Sequence, residues 1–341
     1  MSARSGSLRV VATVAVLGLA VQLLLPRLAD LHASLAVMRS LRPWALGGAL
    51  AAQVLSYCAS GVMMRSIVRA GGGRLDAGRG VAITLAAGSV GLVAWGALGF
   101  AGAAYRWARD AGAGKEGARL AAWLPTVLNA AVIAAAAALG MLELLALGRL
   151  TTAEWSAFVA SLSVMAGLGA LLVWAARNPR RAAELAAAPR AAWARLRHRR
   201  AHGTSERDGE AGSAWAALAG RGRWSRPLAA AALATGFDLA CLYLLFVAAR
   251  LTPGFGVLLA GYGLPLLVGK IAVIPGGLGV VEGGMAGMYH ALGVPAATAV
   301  TVVLAYRVVS FWLPNALGFV LLPWLQAGHR SAPPHPREAL A

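Results

Sequence analysis

Four ionisable side chains stand inside stretches of this chain that are otherwise almost wholly apolar. Asp238 lies midway along 227–250, and Glu282 follows the glycine-rich break in "VIPGGLGVVEGGM" at 273–285. Arg307 lies near the middle of 296–325, and Glu143 nearer the end of 120–148. A charge is costly in hydrocarbon, so such residues face a protected interior and serve ions, protons or headgroups, or hold one another. Glu282 comes just after Pro275-Gly276-Gly277. A helix starting at Gly279 offers it unpaired N–H groups and the positive end of the helix dipole. Met285, Ala286 and Tyr289 share its face, so the carboxylate should point into the bundle. Arg307 needs a counter-charge for the same reason. The two residues either pair, jointly hold a charged headgroup, or act as structural glue. Lys270 lies four residues before Ile274, within snorkelling reach of a boundary.

Other chemistry fails on spacing. "GGLGVVEGG" is not a dinucleotide fingerprint, because Glu282 takes the third glycine position, and no Gly-Lys-Ser/Thr follows to make a phosphate loop. Ser89 in "AAGSVG" lacks the glycine of a nucleophile elbow. HExxH and CxxC motifs are absent, and the two cysteines, Cys58 and Cys241, sit far apart in apolar segments. No cofactor, metal or catalytic residue is expected, and the chain reads as a non-enzyme.

The elements that must position these charges are helices in a bilayer. Of 341 residues, 59% are hydrophobic and only 13% charged, about half the charge of a soluble domain. Apolar segments fall near 8–25, 44–64, 81–104, 120–148, 154–175, 227–250, 254–274, 279–292 and 296–325. They are continuously apolar, which suits helices and not the alternation of a barrel. The net charge of +18 comes almost wholly from arginine, and no nucleic-acid-binding motif accompanies it, so nucleic acid is not an expected partner. The positive-inside rule explains it instead. The stretch 176–226 has a net charge of +8 and belongs in the cytoplasm.

That placement constrains the topology. With the N-terminus inside and every segment spanning, the 176–226 loop would face outward. One earlier segment must therefore enter and leave on the same side, and 81–104 suits best. It carries Gly88, Gly91, Gly96, Gly99 and Gly102 between two basic loops. Such hairpins survive where protein or a wet cavity shelters their backbone. The break at Pro275-Gly276-Gly277 makes 254–292 a second hairpin, entered from outside. The expected fold is all-α: a polytopic membrane bundle of about six full spans with two opposed re-entrant or broken hairpins, the arrangement of a transporter-type site. Residues 1–330 form one domain, with 331–341 a disordered cytoplasmic tail. Gly279, Gly283 and Gly287 recur every four residues, a stripe expected to let another helix approach closely.

Within 176–226, Leu185, Ala192, Trp193 and Leu196 share a helical face, and Trp215 and Trp224 follow. This loop is either an interfacial segment on the anionic inner leaflet or a solvated linker, the latter favoured by Pro189. Tyr105-Arg106, after the first hairpin, offers phosphate-binding groups, and Arg106 equally suits a cytoplasmic anchor.

The segment "IPGGLGVVEGGM…ALGVPAATAVTVVLAYRVVSFWLPNALGFVLL" resembles the C-terminal signature of the lysylphosphatidylglycerol synthase transmembrane region, a flippase-like integral membrane family. The matching residues are Pro275, Gly276, Gly277, Gly279 and Glu282, then Gly293–Pro295, Ala305–Arg307 with Tyr306, and Leu313-Pro314. "GFAGAAYRWARDAG" at 99–112 is similar to the family's glycine-plus-arginine segment, without the proline that often opens it, and Val281 stands where the signature often has arginine. In bifunctional members this region is fused to a soluble synthase and moves the product lipid between leaflets. The resemblance implies a stand-alone protein of a bacterial inner membrane that binds and translocates a phospholipid or lipid-linked headgroup. Glu282, Arg307, Asp238, Tyr306, Arg106 and the Pro275–Gly279 break are its candidate headgroup site. The alternatives are an accessory subunit partnering envelope-lipid enzymes, and a transferase acting on a lipid carrier.

Overall fold

The computed structural model describes residues 39–94, 96–148, 225–271 and 275–330, with isolated positions 37, 156, 159 and 163. The expected spans at 8–25 and 154–175, the 176–226 loop and the 331–341 tail lie outside the described residues. Among the described residues the secondary structure is entirely helical. The helices are α1 (Pro43–Ala70), α2 (Ala77–Val93), α3 (Ala97–Asp110), α4 (Lys115–Ala146), α5 (Ser225–Ala248), α6 (Phe255–Ile271), α7 (Val280–Ala291), α8 (Ala296–Arg307) and α9 (Leu313–Arg330). A short 3-10 turn, Pro275–Gly277, lies between α6 and α7, and a π-turn, Val308–Trp312, joins α8 to α9.

Among the described residues, α1, α4, α5 and the joined α8–α9 unit are long and apolar enough to cross a membrane. They coincide with the spans expected at 44–64, 120–148, 227–250 and 296–325. The remaining helices form two hairpins. α7 has 12 residues and α3 has 14. At 1.5 Å per residue they reach only about 18 and 21 Å, short of the roughly 30 Å hydrocarbon core. Each therefore turns back rather than crossing.

The ends of the helices fix where each hairpin opens. Gly71, past the end of α1, lies against Gly117 at the start of α4, so α2 and α3 leave from and return to the same end of the bundle. Arg69 and Ala70 of α1 lie beside Ser225 and Arg226 of α5 at that end. At the opposite end the Arg42 N–H donates to the Ala248 carbonyl at 3.0 Å. The second hairpin opens at this opposite end, because the Tyr289 hydroxyl near the close of α7 donates to the Leu258 carbonyl near the start of α6 at 3.0 Å. The hairpins therefore enter from opposite ends, and their tips meet. A Cβ added at Gly276 would come within 3.1 Å of Leu92, next to the last residue of α2.

Small residues set the packing. Gly140 and Ala137 of α4 meet Leu259 and Gly263 of α6 at distances that leave no room for a larger side chain, as expected where helices associate without a hydrophobic drive from water. Gly61 of α1 and Gly80 of α2 make a similar approach. Asp76 caps α2 by accepting the Gly78 N–H at 2.8 Å, a bond that holds its carboxyl below the usual range.

Among the described residues no helix packs on the Gly279–Gly283–Gly287 stripe: Gly283 and Gly287 are exposed, with nothing within 4 Å, and the expected spans at 8–25 and 154–175 lie outside the described residues. The face that carries Val281, Glu282, Met285 and Tyr289 is the buried one. Close approach comes from glycines on the partner helix instead. Gly261 and Gly269 of α6 give space to Tyr289 and Val281 of α7.

The joint between α2 and α9 offers a direct check. A Cβ at Gly318 would overlap the Leu85 carbonyl and the Ser89 hydroxyl, which itself donates to the Asn315 carbonyl at 2.8 Å. Gly318→Ala should lower stability by about 1–3 kcal/mol, read as a lower melting temperature of the purified protein in detergent. Gly287→Ala, on the open face, should leave it within about 0.5 kcal/mol or raise it slightly.

Candidate functional site

Glu282 is the third residue of α7, and its position follows from the break before it. Gly276, Gly277 and Gly279 all take positive φ, at 68°, 63° and 82°. Only glycine adopts that backbone repeatedly without strain. The turn drops the chain from α6 and restarts it as α7 with Glu282 facing inward. Its Oε2 accepts the Gly279 N–H at 2.7 Å, half of a capping box at the helix start.

Arg307 ends α8 and reaches the same point. Its Nε donates to Glu282 Oε1 at 2.6 Å, and its terminal NH2 donates to the Gly276 carbonyl at 3.1 Å. The guanidinium carbon lies 4.0 Å from the centre of the Phe311 ring, a cation–π contact. Both residues are sealed off, Glu282 at 1% and Arg307 at 4% exposure. A buried ion pair holds when the lone pairs and protons left over are also satisfied. The Gly279 N–H and the Gly276 carbonyl provide that here.

The π-turn that follows Arg307 has a local cause. Pro314 has no N–H to give to a carbonyl in the preceding turn. The Leu313 N–H bonds to the Val308 carbonyl, widening the turn. Two carbonyls of the turn find side chains: Ser310 accepts the Tyr57 hydroxyl at 3.2 Å, and Phe311 accepts the Asn315 amide at 2.7 Å. The loosened turn thus ties α1 to α8–α9 just beyond Arg307.

A second carboxylate lies beside the pair. Oδ2 of Asp238, on α5, accepts the hydroxyls of Tyr262 on α6 and Tyr306 on α8, each at 2.8 Å. The Gln53 side chain of α1 approaches the same carboxylate, whose charge is felt by Arg307 and by Lys270 of α6. Asp238 is half-buried and Lys270 exposed, whereas Glu282 and Arg307 are closed in. The arrangement is a polar cluster shared by α1, α5, α6, α7 and α8 at the level of the hairpin tips. It holds two carboxylates, a guanidinium and tyrosine hydroxyls, with Lys270 near enough to feel the Asp238 charge, a set able to neutralise and hydrogen-bond a phosphate or amine headgroup.

Of the residues singled out in the sequence, Glu282, Arg307, Asp238, Tyr306, Gly276, Gly277 and Gly279 come together, with Pro275 opening the turn. Arg106 does not join them: it is exposed on α3, in the turns that lead back to the arginine-rich end. Glu143 lies in the last turn of α4, its Cβ packed against Gly256. Gln53, Tyr57 and Tyr262 were missed, and Lys270 was placed at a boundary. The available signal was a lone amide in 44–64 and tyrosines within otherwise apolar runs, since buried tyrosine hydroxyls require partners.

Neutralising one partner of the ion pair strands the other. Glu282→Gln or Arg307→Met alone should cost about 3–5 kcal/mol, while the double variant should recover much of that loss. Thermal unfolding of the four proteins as a double-mutant cycle measures the coupling.

The model of the lysylphosphatidylglycerol synthase transmembrane region matches residues 10–318. A UPF0104 membrane protein of Methanothermobacter thermautotrophicus is 38% identical over 79 residues, which is 23% of this chain. The chain spans only 24% of the length of that relative. The family match takes in both hairpins, the Pro275–Gly279 break, Glu282 and Arg307, and the chain belongs to the family of the lysylphosphatidylglycerol synthase transmembrane region.

Proposed function

We propose that this membrane protein binds an amphipathic phospholipid or lipid-linked headgroup and moves it between leaflets without transforming it. The observation that carries this reading is the buried Glu282–Arg307 pair, set where two opposed hairpin tips meet and flanked by the half-open Asp238 and the exposed Lys270. A headgroup crossing a bilayer must lose water at the midplane, and fixed charges there replace that water. The two hairpins, each opening at a different end, give the site one face toward each leaflet. Lys270 would meet phosphate and Asp238 an amine on the open side of the cluster, and the headgroup would reach Arg307 and Glu282 as the hairpin tips part.

The reading includes an orientation. Arg65, Arg69, Arg74, Arg79, Arg109, Lys115 and Arg226 gather at one end of the bundle, against Arg39, Arg42 and Arg250 at the other. The first end belongs in the cytoplasm by the positive-inside rule, the membrane being a bacterial inner membrane. The N-terminus, the 176–226 loop and the tail would share that side, and the loop would lie on the anionic leaflet.

Two measurements test these points. In liposomes with labelled phospholipid, the wild type should speed transbilayer movement, and Glu282→Gln and Arg307→Ala should lose most of it, by about tenfold or more. A wild type that moves none of the lipids offered ends the translocation reading, and normal movement by both variants removes the site. For orientation, single cysteines replace Arg74 or Thr252 in a chain freed of Cys58 and Cys241. An impermeant thiol reagent on intact cells should label position 252 and spare 74, and the reverse pattern inverts the arrangement.

A further inference from the structure

A cleft of about 840 Å³ lies between α1 and α5 at the arginine-rich end, away from the central cluster. Its walls change character along their length in the same order on both helices. On α1, Val62 precedes Arg65 and Arg69; on α5, Leu233 lies seven residues beyond Arg226. At 1.5 Å per residue each helix passes from an apolar to a cationic lining over about 10 Å. Val62 and Leu233 are exposed, at 47% and 57%, as surfaces that lie against acyl chains are. At the other end the guanidinium groups converge from two helices, with Ser66 and Ser225 between them.

Arg65 supplies a separate observation. The side chain is half-buried, and its Nε is closed to solvent with no hydrogen-bond partner among the described residues. A buried guanidinium N–H left without a partner is costly, so the Arg65 side chain would gain by turning its fork toward an oxygen held in the cleft. Asp76, which feels the charge of Arg65, is exposed, and its Oδ2 caps α2.

We propose that this cleft is a second lipid site, in which Arg65, Arg69 and Arg226 hold the phosphate headgroup of an anionic phospholipid while its chains run along Val62 and Leu233. Arginine forks suit phosphate oxygens, and the 10 Å change in polarity matches the step from headgroup to acyl chain. The site would draw anionic lipid from the leaflet at the arginine-rich end and keep it beside α1 and α5, the helices that carry Gln53, Tyr57 and Asp238. The inference rests on the lipid-handling reading above. Binding, rather than movement, is measured so that the two fail separately.

The test is native mass spectrometry of the full-length protein in detergent, titrated with phosphatidylglycerol, with phosphatidylcholine of the same chains, or with inorganic phosphate. The wild type should prefer phosphatidylglycerol. Arg65→Gln/Arg69→Gln/Arg226→Gln should lose that lipid by about tenfold or more, each charge near the surface contributing a several-fold share. Arg74→Gln/Arg79→Gln/Lys115→Gln removes equal charge outside the cleft and should stay within about twofold. The three single variants, each expected to lose roughly threefold, decide the matter if the cleft triple does not fold. Equal loss in both triples reduces the effect to a diffuse field and overturns the site. So does equal binding of the two lipids by the wild type, which means that the arginines are satisfied within the chain. Displacement of the lipid by inorganic phosphate would make it a free-anion site and overturn the assignment to lipid.

Discussion

The structure depends on keeping one carboxylate and one guanidinium charged where water is absent. Glu282 and Arg307 are closed in, and neither would be stable there alone. Their 2.6 Å contact satisfies part of each group, and backbone satisfies the rest. The Gly279 N–H and the Gly276 carbonyl are free to do this only because the helix is broken between α6 and α7. The glycine-rich break and the ion pair are therefore one device. A continuous helix through 275–279 would bond those groups internally and leave the pair half satisfied.

A second break works in the same way. Pro314 leaves a preceding carbonyl without its helical donor, and the π-turn after Arg307 follows. The carbonyls of Ser310 and Phe311 become acceptors for Tyr57 and Asn315. Phe311, on this turn, covers the guanidinium and also bounds Gly276 at the second hairpin's tip. The geometry of α8–α9 and the tip of the α6–α7 hairpin are thus set against each other. Asp238 differs from Glu282: two tyrosine hydroxyls hold it, and it stays half-open. The cluster thus combines a sealed ion pair with a half-open carboxylate, with the exposed residue Lys270 close enough to feel that carboxylate.

Much of this was legible in the chain. Charges within apolar runs located Glu282, Arg307 and Asp238, because hydrocarbon penalises them so heavily that their presence is itself a signal. Charge asymmetry required a hairpin at 81–104, and α2 and α3 turn back there. The pairing of Glu282 with Arg307 remained one option among several, since 25 residues of separation carry no distance. Tyr262 and Gln53 were hidden because each counts as an ordinary residue in a span until its partner is known. The glycine stripe on α7 has no neighbour among the described residues. Four-residue spacing identifies a face but not what packs on it, and the close approach between α6 and α7 is made by Gly261 and Gly269 on the opposing helix.

Membership of the family gives this arrangement a lipid context, and the charged cluster at the meeting hairpins gives it a place to act. The central claim is that the charges of Glu282 and Arg307 handle the headgroup and do more than hold the fold. The most direct measurement is transbilayer lipid movement by the double variant Glu282→Gln/Arg307→Met in liposomes, at matched amounts of folded protein. The variant keeps the bundle and removes the charges, so the account predicts movement no faster than in protein-free liposomes. Movement at the wild-type rate would contradict it and leave the pair as a structural clasp.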